Sequence, residues 1–95
     1  MEVAAADLMR YRTCSLCDAK QPCGAEANMA KHLAAKASWE AANMCLQTHG
    51  GYGFAAEYDV ERKFRETRLY QVAPISTNLI LSYIGEHVLG LPRSF

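Results

Sequence analysis

The sequence predicts an all-α chain, an antiparallel bundle of about four helices. Three observations carry that prediction. Apolar residues recur at intervals of three and four in four segments, no stretch alternates with a strand-like period of two, and Pro/Gly-containing breaks separate the segments.

The first segment, about 2–19, places Val3, Ala6, Met9, Arg10, Thr13, Leu16 and Cys17 at helical spacing, and ends before Pro22 and Gly24. The second, about 25–48, has the clearest pattern: Met29, Leu33, Ala37, Ala41 and Met44/Cys45 form one apolar stripe, with Lys31, Lys36 and Glu40 off it. Its alanines favour helix and admit a close neighbour. Trp39 lies off the stripe, which predicts a long helix contacted from more than one side. A shorter helix, about 58–69, sets Val60 and Phe64 on one face and the pairs Glu61/Arg65 and Arg62/Glu66 on the exposed side. Pro74 then pushes Ala73 out of the helical region. Ser76 or Thr77 can cap the last helix, about 76–89, whose apolar face carries Leu79, Ile80, Tyr83, Ile84 and Val88 before the stop at Gly90 and Pro92.

Ninety-five residues predict a single domain, 1–95, with little stability to spare. Ten basic residues balance ten acidic ones, leaving no field to attract nucleic acid or an anionic membrane. No apolar run approaches the roughly eighteen residues of a membrane span. The first residues lack the basic-then-apolar order of a signal peptide, so the expected location is the cytoplasm, where thiols stay reduced. Cys14, Cys17, Cys23 and His32 have residue types suited to zinc, and Cys14 and Cys17 form a CxxC. The helical character of 10–20 and the lack of a preceding strand disfavour both zinc and thioredoxin-like chemistry. The cysteines are expected to be small thiols filling apolar positions. Four broad apolar faces exceed what one short chain can cover, which points to self-association or to a piece of something larger.

The centre of the chain raises the functional question. QTHGGYGF, residues 47–54, ends an alanine-rich helix in a glycine turn and leads into AAEYDVERKFRETR. These blocks resemble the C-terminal helical domain of the flavin-dependent acyl-CoA dehydrogenases. Gln47, Gly50, Gly51, Gly53 and Phe54 match the family's first block. Glu57, Tyr58, Val60, Glu61 and Arg62 match the second, with Asp59 in place of a proline, and Arg65, Glu66, Thr67 and Arg68 stand in the third. The resemblance runs from about Tyr11 to Leu89. It implies that the turn passes under an FAD bound mainly by a neighbouring subunit, with Gln47, Gly50 and Gly51 at the adenine end. From spacing alone, a plain helix stop accounts for the same glycines.

The last block departs from the family. Pro74 falls where many members carry the glutamate that removes the substrate's α-proton, and a proline cannot take a proton. Ile75 falls where the following glycine stands. Ser76 and Asn78 occupy the places of a threonine and a glutamine, and are candidates to touch the flavin's ribityl or phosphate portion; helix capping is the competing role. No catalytic residue is therefore expected in this chain. The resemblance also implies that the family's N-terminal helical domain and middle β-domain are absent, so the chain falls short of a complete dehydrogenase. Of the remaining polar residues, His49 is expected to be a solvated turn residue, His87 an interface or partly buried one, and Arg62, Arg65 and Arg68 an ion-paired face.

Two functions remain open from the sequence. One is a C-terminal domain or fragment of an FAD-dependent acyl-CoA dehydrogenase-like enzyme, meeting acyl-CoA only as part of the whole and contributing dimer contacts. The other is a stand-alone helical interaction module without flavin or catalysis.

Overall fold

The structure, a computed structural model, describes residues 1–93. It contains four α-helices: α1 (Glu2–Asp18), α2 (Gly24–His49), α3 (Val60–Val72) and α4 (Thr77–His87). Two short 3-10 segments, Gly50–Phe54 and Ala56–Tyr58, link α2 to α3. No strand occurs among the described residues, so the all-α expectation holds.

Helix α2 is the spine. On one side α1 runs antiparallel to it: Glu2 pairs with Lys36 (3.4 Å) and Arg12 with Glu26 (3.6 Å). On another, α3 is antiparallel too. Trp39 stacks on Phe64 with ring centroids 4.5 Å apart, and Lys31 Nζ donates to the Tyr70 carbonyl. The second surface expected at Trp39 is therefore occupied by α3. Helix α4 packs near the other end of α2, where the Tyr83 hydroxyl closes over Gly24 so tightly that an added Cβ would lie 2.9 Å from it. Its start follows an extended Ala73 (φ −132°, ψ 150°), and Ser76 caps it by accepting the Leu79 N–H at 3.3 Å.

The apolar stripe expected on α2 is covered only in part. Ala37 is buried and Leu33 half-buried, but Ala41 and Cys45 are exposed and Met44 is 65% exposed. The reason is length. Glu2, at the start of α1, already pairs with Lys36, so α2 runs on past the end of α1 with nothing over that face. What borders α1 is alanine: Ala6 and Ala37 are buried beside a groove of about 850 Å³ that Val3, Ala30, Ala34 and Ala41 also line, and Ala35 is buried as well.

The cysteines depart from expectation. Cys17 and Cys23 are joined in a disulfide with Cα atoms 5.8 Å apart, while Cys14 and Cys45 are free and exposed. The expectation of small side chains filling apolar positions fails for the exposed Cys14 and Cys45, and that of reduced thiols fails for Cys17 and Cys23. The cause is the way α1 stops. Lys20 N–H donates to the Cys17 carbonyl (3.0 Å) and Gln21 N–H to that of Leu16 (2.9 Å), a Schellman reversal with Lys20 at φ 55° in the place usually held by glycine. The chain turns back at once and brings position 23 beside position 17. A lysine at the turning point gives no hint of this in the sequence.

Candidate cofactor site

The glycine turn is built from α2 outward. Gly50 closes the helix by donating to the Gln47 carbonyl and sits at φ 56°, ψ −132°, a conformation that side chains other than glycine's rarely tolerate. Gly53 is needed for a different reason. It is buried where the 3-10 segment folds back on α2, and a Cβ there would meet the Leu46 carbonyl oxygen at 2.9 Å. Gly51 has neither constraint. Its φ is not positive, and an added Cβ meets nothing within 4 Å. Gly50 likewise has nothing within 4 Å on its Cβ side. The turn therefore offers two adjacent bare backbone units to the outside, with the exposed Gln47 side chain on the last turn of α2.

Gly53→Ala is expected to lower stability by about 1–3 kcal/mol, since the clash is with backbone and cannot be relieved by a rotamer. Gly51→Ala should change it by less than about 0.5 kcal/mol. Urea unfolding of the two variants side by side checks the pair. Equal losses would show that the turn does not pack as described.

Around the turn, Tyr58 stacks against Tyr52 (5.6 Å) and lies edge-on to His49 (6.1 Å). Tyr52 and Phe54 remain exposed. Phe54 and Tyr58 belong to the blocks that carry the resemblance, whereas Tyr52 matches neither, and only its place inside the glycine turn marks it. His49 is exposed as expected, and its Nδ1–H donates back to the Cys45 carbonyl (2.9 Å) with the Cys45 thiol 3.8 Å away.

The second group of candidates lies elsewhere. Ser76 is half-buried and engaged in the cap of α4; Asn78 is exposed one residue into the helix. Tyr70, six residues before Ser76, is held at Lys31, and Tyr83 sits at Gly24. This end of the molecule is therefore the N-terminal part of α2. Gln47 lies sixteen residues beyond Lys31, about 24 Å along the helix at 1.5 Å per residue. The five candidates thus form two separate sets, Gln47/Gly50/Gly51 and Ser76/Asn78, rather than one pocket. Pro74 is exposed, and its bond to Ala73 is cis.

The arginines of α3 are internally matched. Arg65 pairs with Glu61 (2.8 Å), and Arg62 with Asp59 (3.2 Å) and Glu66 (3.1 Å). Lys63 and Arg62 together hold the Glu66 carboxyl below its ordinary range, the Lys63 hydrogen bond being the larger cause. Arg68 reaches Gln71 (2.9 Å) and lies over the Trp39 ring. Asp59 occupies a left-handed conformation (φ 57°) at the start of α3, which a proline ring locked near −65° cannot adopt. The departure from the family's proline is therefore matched by the backbone. His87 is exposed and stacks on Tyr83 at 4.5 Å rather than being partly buried.

The profile of the family described as "Acyl-CoA dehydrogenase, C-terminal domain" matches residues 1–89. The chain belongs to the acyl-CoA dehydrogenase family, in its C-terminal domain. Among curated acyl-CoA dehydrogenases it is 40% identical over 97 aligned residues to FadE12 of Mycobacterium tuberculosis (strain ATCC 25618 / H37Rv), an alignment that covers 100% of this chain and 25% of that protein. It is 39% identical to the (2S)-methylsuccinyl-CoA dehydrogenase of Cereibacter sphaeroides, covering 94% of the chain and 16% of the relative. It is 30% identical to the mitochondrial short/branched chain specific acyl-CoA dehydrogenase of Rattus norvegicus, covering 92% and 20%. The chain thus spans about a quarter or less of the length of these relatives. No solved structure gives a significant match. No helix among the described residues is long and apolar enough to cross a membrane.

Proposed function

We propose that this acyl-CoA dehydrogenase C-terminal domain supplies subunit contacts and part of the FAD site of an enzyme that dehydrogenates acyl-CoA thioesters at the α,β-position, and that it is inactive alone. The observation that carries the reading is the bare backbone at Gly50 and Gly51 beside the exposed Gln47. A dinucleotide can approach there to backbone contact, with the amide of Gln47 able both to donate and to accept. The residues therefore fit the adenine end of such a cofactor. Gly50 and Gly51 would admit it and Gln47 would orient it, while Ser76 and Asn78, toward the other end of α2, would serve a different stretch of flavin. When bound, the flavin supplies a hydride acceptor for the substrate's β-hydrogen. This chain places no proton acceptor at the usual base position, because Pro74 stands there.

The subunit contacts rest on surface area. A compact protein of 10.5 kDa exposes roughly 5,400 Å². This chain exposes 6889 Å², with Leu69, Val72, Ile75 and Leu79 among the uncovered apolar residues. The excess is larger than the roughly 800 Å² that one partner contributes to an interface of standard size. A homodimer through these faces would cover it.

One preparation tests the parts together. The isolated chain, mixed with FAD and an acyl-CoA, is expected to reduce no dye acceptor and to scatter light as two chains at micromolar concentration. Turnover by this chain alone would overturn the claim of inactivity, and a mass of one chain would overturn the interface. A dimer whose turn proves indifferent to flavin in a complete enzyme would favour the association module instead.

A further inference from the structure

The disulfide at the α1–α2 junction is not used by any of this, and its surroundings give it a purpose. We propose that Cys17 and Cys23 form a reversible thiol–disulfide clip that governs how firmly the α1–α2 hairpin is closed, exchanging with small-molecule disulfides such as oxidised glutathione. Four features carry the inference. The two Cα atoms are 5.8 Å apart, within the range that a disulfide spans without moving the backbone. Cys17 is exposed and open to reagents in solution, whereas Cys23 is half-buried at the start of α2. The chain between them reverses through Lys20 in a left-handed conformation, costly for a residue with a Cβ, which two backbone hydrogen bonds hold and a closed clip would hold further. Among the described residues, the one ion pair that also spans this junction is Arg12–Glu26 at 3.6 Å, whose arginine is mostly in water and which is correspondingly weak.

The exchange balances without any further reagent. The Cys17 thiolate attacks one sulfur of the small disulfide, whose S–S bond breaks and releases one thiolate. The Cys23 thiolate then attacks the Cys17 sulfur of the mixed disulfide, forming the Cys17–Cys23 bond and expelling the second thiolate. Two protein thiols are oxidised, one small disulfide is reduced to two thiols, and the protons lost by the cysteines pass to the leaving groups. Reduction runs the same steps backward. Closed, the clip restricts opening of the reversal; open, it leaves Lys20 to relax out of its left-handed state.

Lys20 is exposed and is itself a tryptic site, which makes the state of the clip readable. The 95-residue chain is equilibrated in oxidised and in reduced glutathione buffers, treated briefly with trypsin, and mapped by mass spectrometry. Cleavage after Lys20 is expected to be on the order of tenfold faster in the reduced chain. Cys14→Ser should keep that difference and Cys23→Ser should abolish it. Equal rates in both buffers would overturn the proposal. A second measurement does not depend on how either variant folds. The ratio of Cys17–Cys23 to Cys14–Cys17 pairing should be at least about tenfold higher in buffer than in urea if the fold specifies the partner. An unchanged ratio would also overturn it.

Discussion

Ile80→Ala will cost the chain about 2–5 kcal/mol of unfolding free energy, the largest loss expected from any single truncation. Ile80 has no exposed surface, and it is the one large side chain buried to that degree among the described residues; the other buried apolar residues are Ala6, Ala35 and Ala37. Alanines bring helices close but have little side chain to remove from water. The burial that fixes α4 on the spine is therefore concentrated in one residue, one turn after the Ser76 cap. Small domains hold roughly 5–15 kcal/mol in total, so losing this side chain removes a large share. Urea unfolding followed by circular dichroism reads the effect, with Leu81→Ala as control. Leu81 is 53% exposed, and its truncation should cost under about 1 kcal/mol. Comparable losses from the two variants would mean that α4 does not seat on Ile80.

That burial was half legible in the sequence. Ile80 stands in the apolar face expected for the last helix, but spacing cannot tell Ile80 from Leu79 and Leu81, both of which are exposed. Periodicity identifies a face; the neighbour that covers it decides which residue is sealed. The same limit explains α2, where Met44 fits the stripe and is left uncovered because α1 starts opposite Lys36. Punctuation read well. Pro74, the Ser76 cap and the glycine turn fall where local chemistry requires them. The disulfide did not, because the reversal that makes it is centred on a lysine. The glycine motif was legible as a motif, whereas the separate demands on Gly50, Gly51 and Gly53 depend on φ and on the Leu46 carbonyl.

In a full-length enzyme carrying this sequence as its C-terminal domain, Gly51→Val is expected to lower FAD affinity by at least about tenfold while leaving the melting temperature within a few degrees of the parent. The backbone at Gly51 is not in the left-handed region and its Cβ direction is empty, so the fold has room for a side chain. A cofactor in backbone contact has none. Gln47→Ala removes one amide contact and should weaken affinity about fivefold, near 1 kcal/mol for an ordinary hydrogen bond. Gly50→Val is the contrasting case. It forces a branched side chain to φ 56° and should lower stability and flavin content together. Flavin retained per subunit after gel filtration, measured beside thermal melts, separates the three. Full retention by both Gly51→Val and Gln47→Ala would leave the turn as a helix stop and nothing more.

Helix α2 spans 26 residues, about 39 Å, from the Tyr83-covered Gly24 to the glycine turn. A rod of that length acts as a lever arm. Pivoting it by about 3° at the Gly24 end would carry the far end through about 2 Å, more than the roughly 0.5 Å within which a binding constellation must be held. The aim of the turn is therefore set by whatever braces the rod along its length. The Trp39–Phe64 stack and the Lys31–Tyr70 hydrogen bond are two such braces, both supplied by α3. Substitutions at Trp39 or Phe64 should consequently misalign the distant turn without touching it, and would register as lost ligand contact in residues that remain chemically intact.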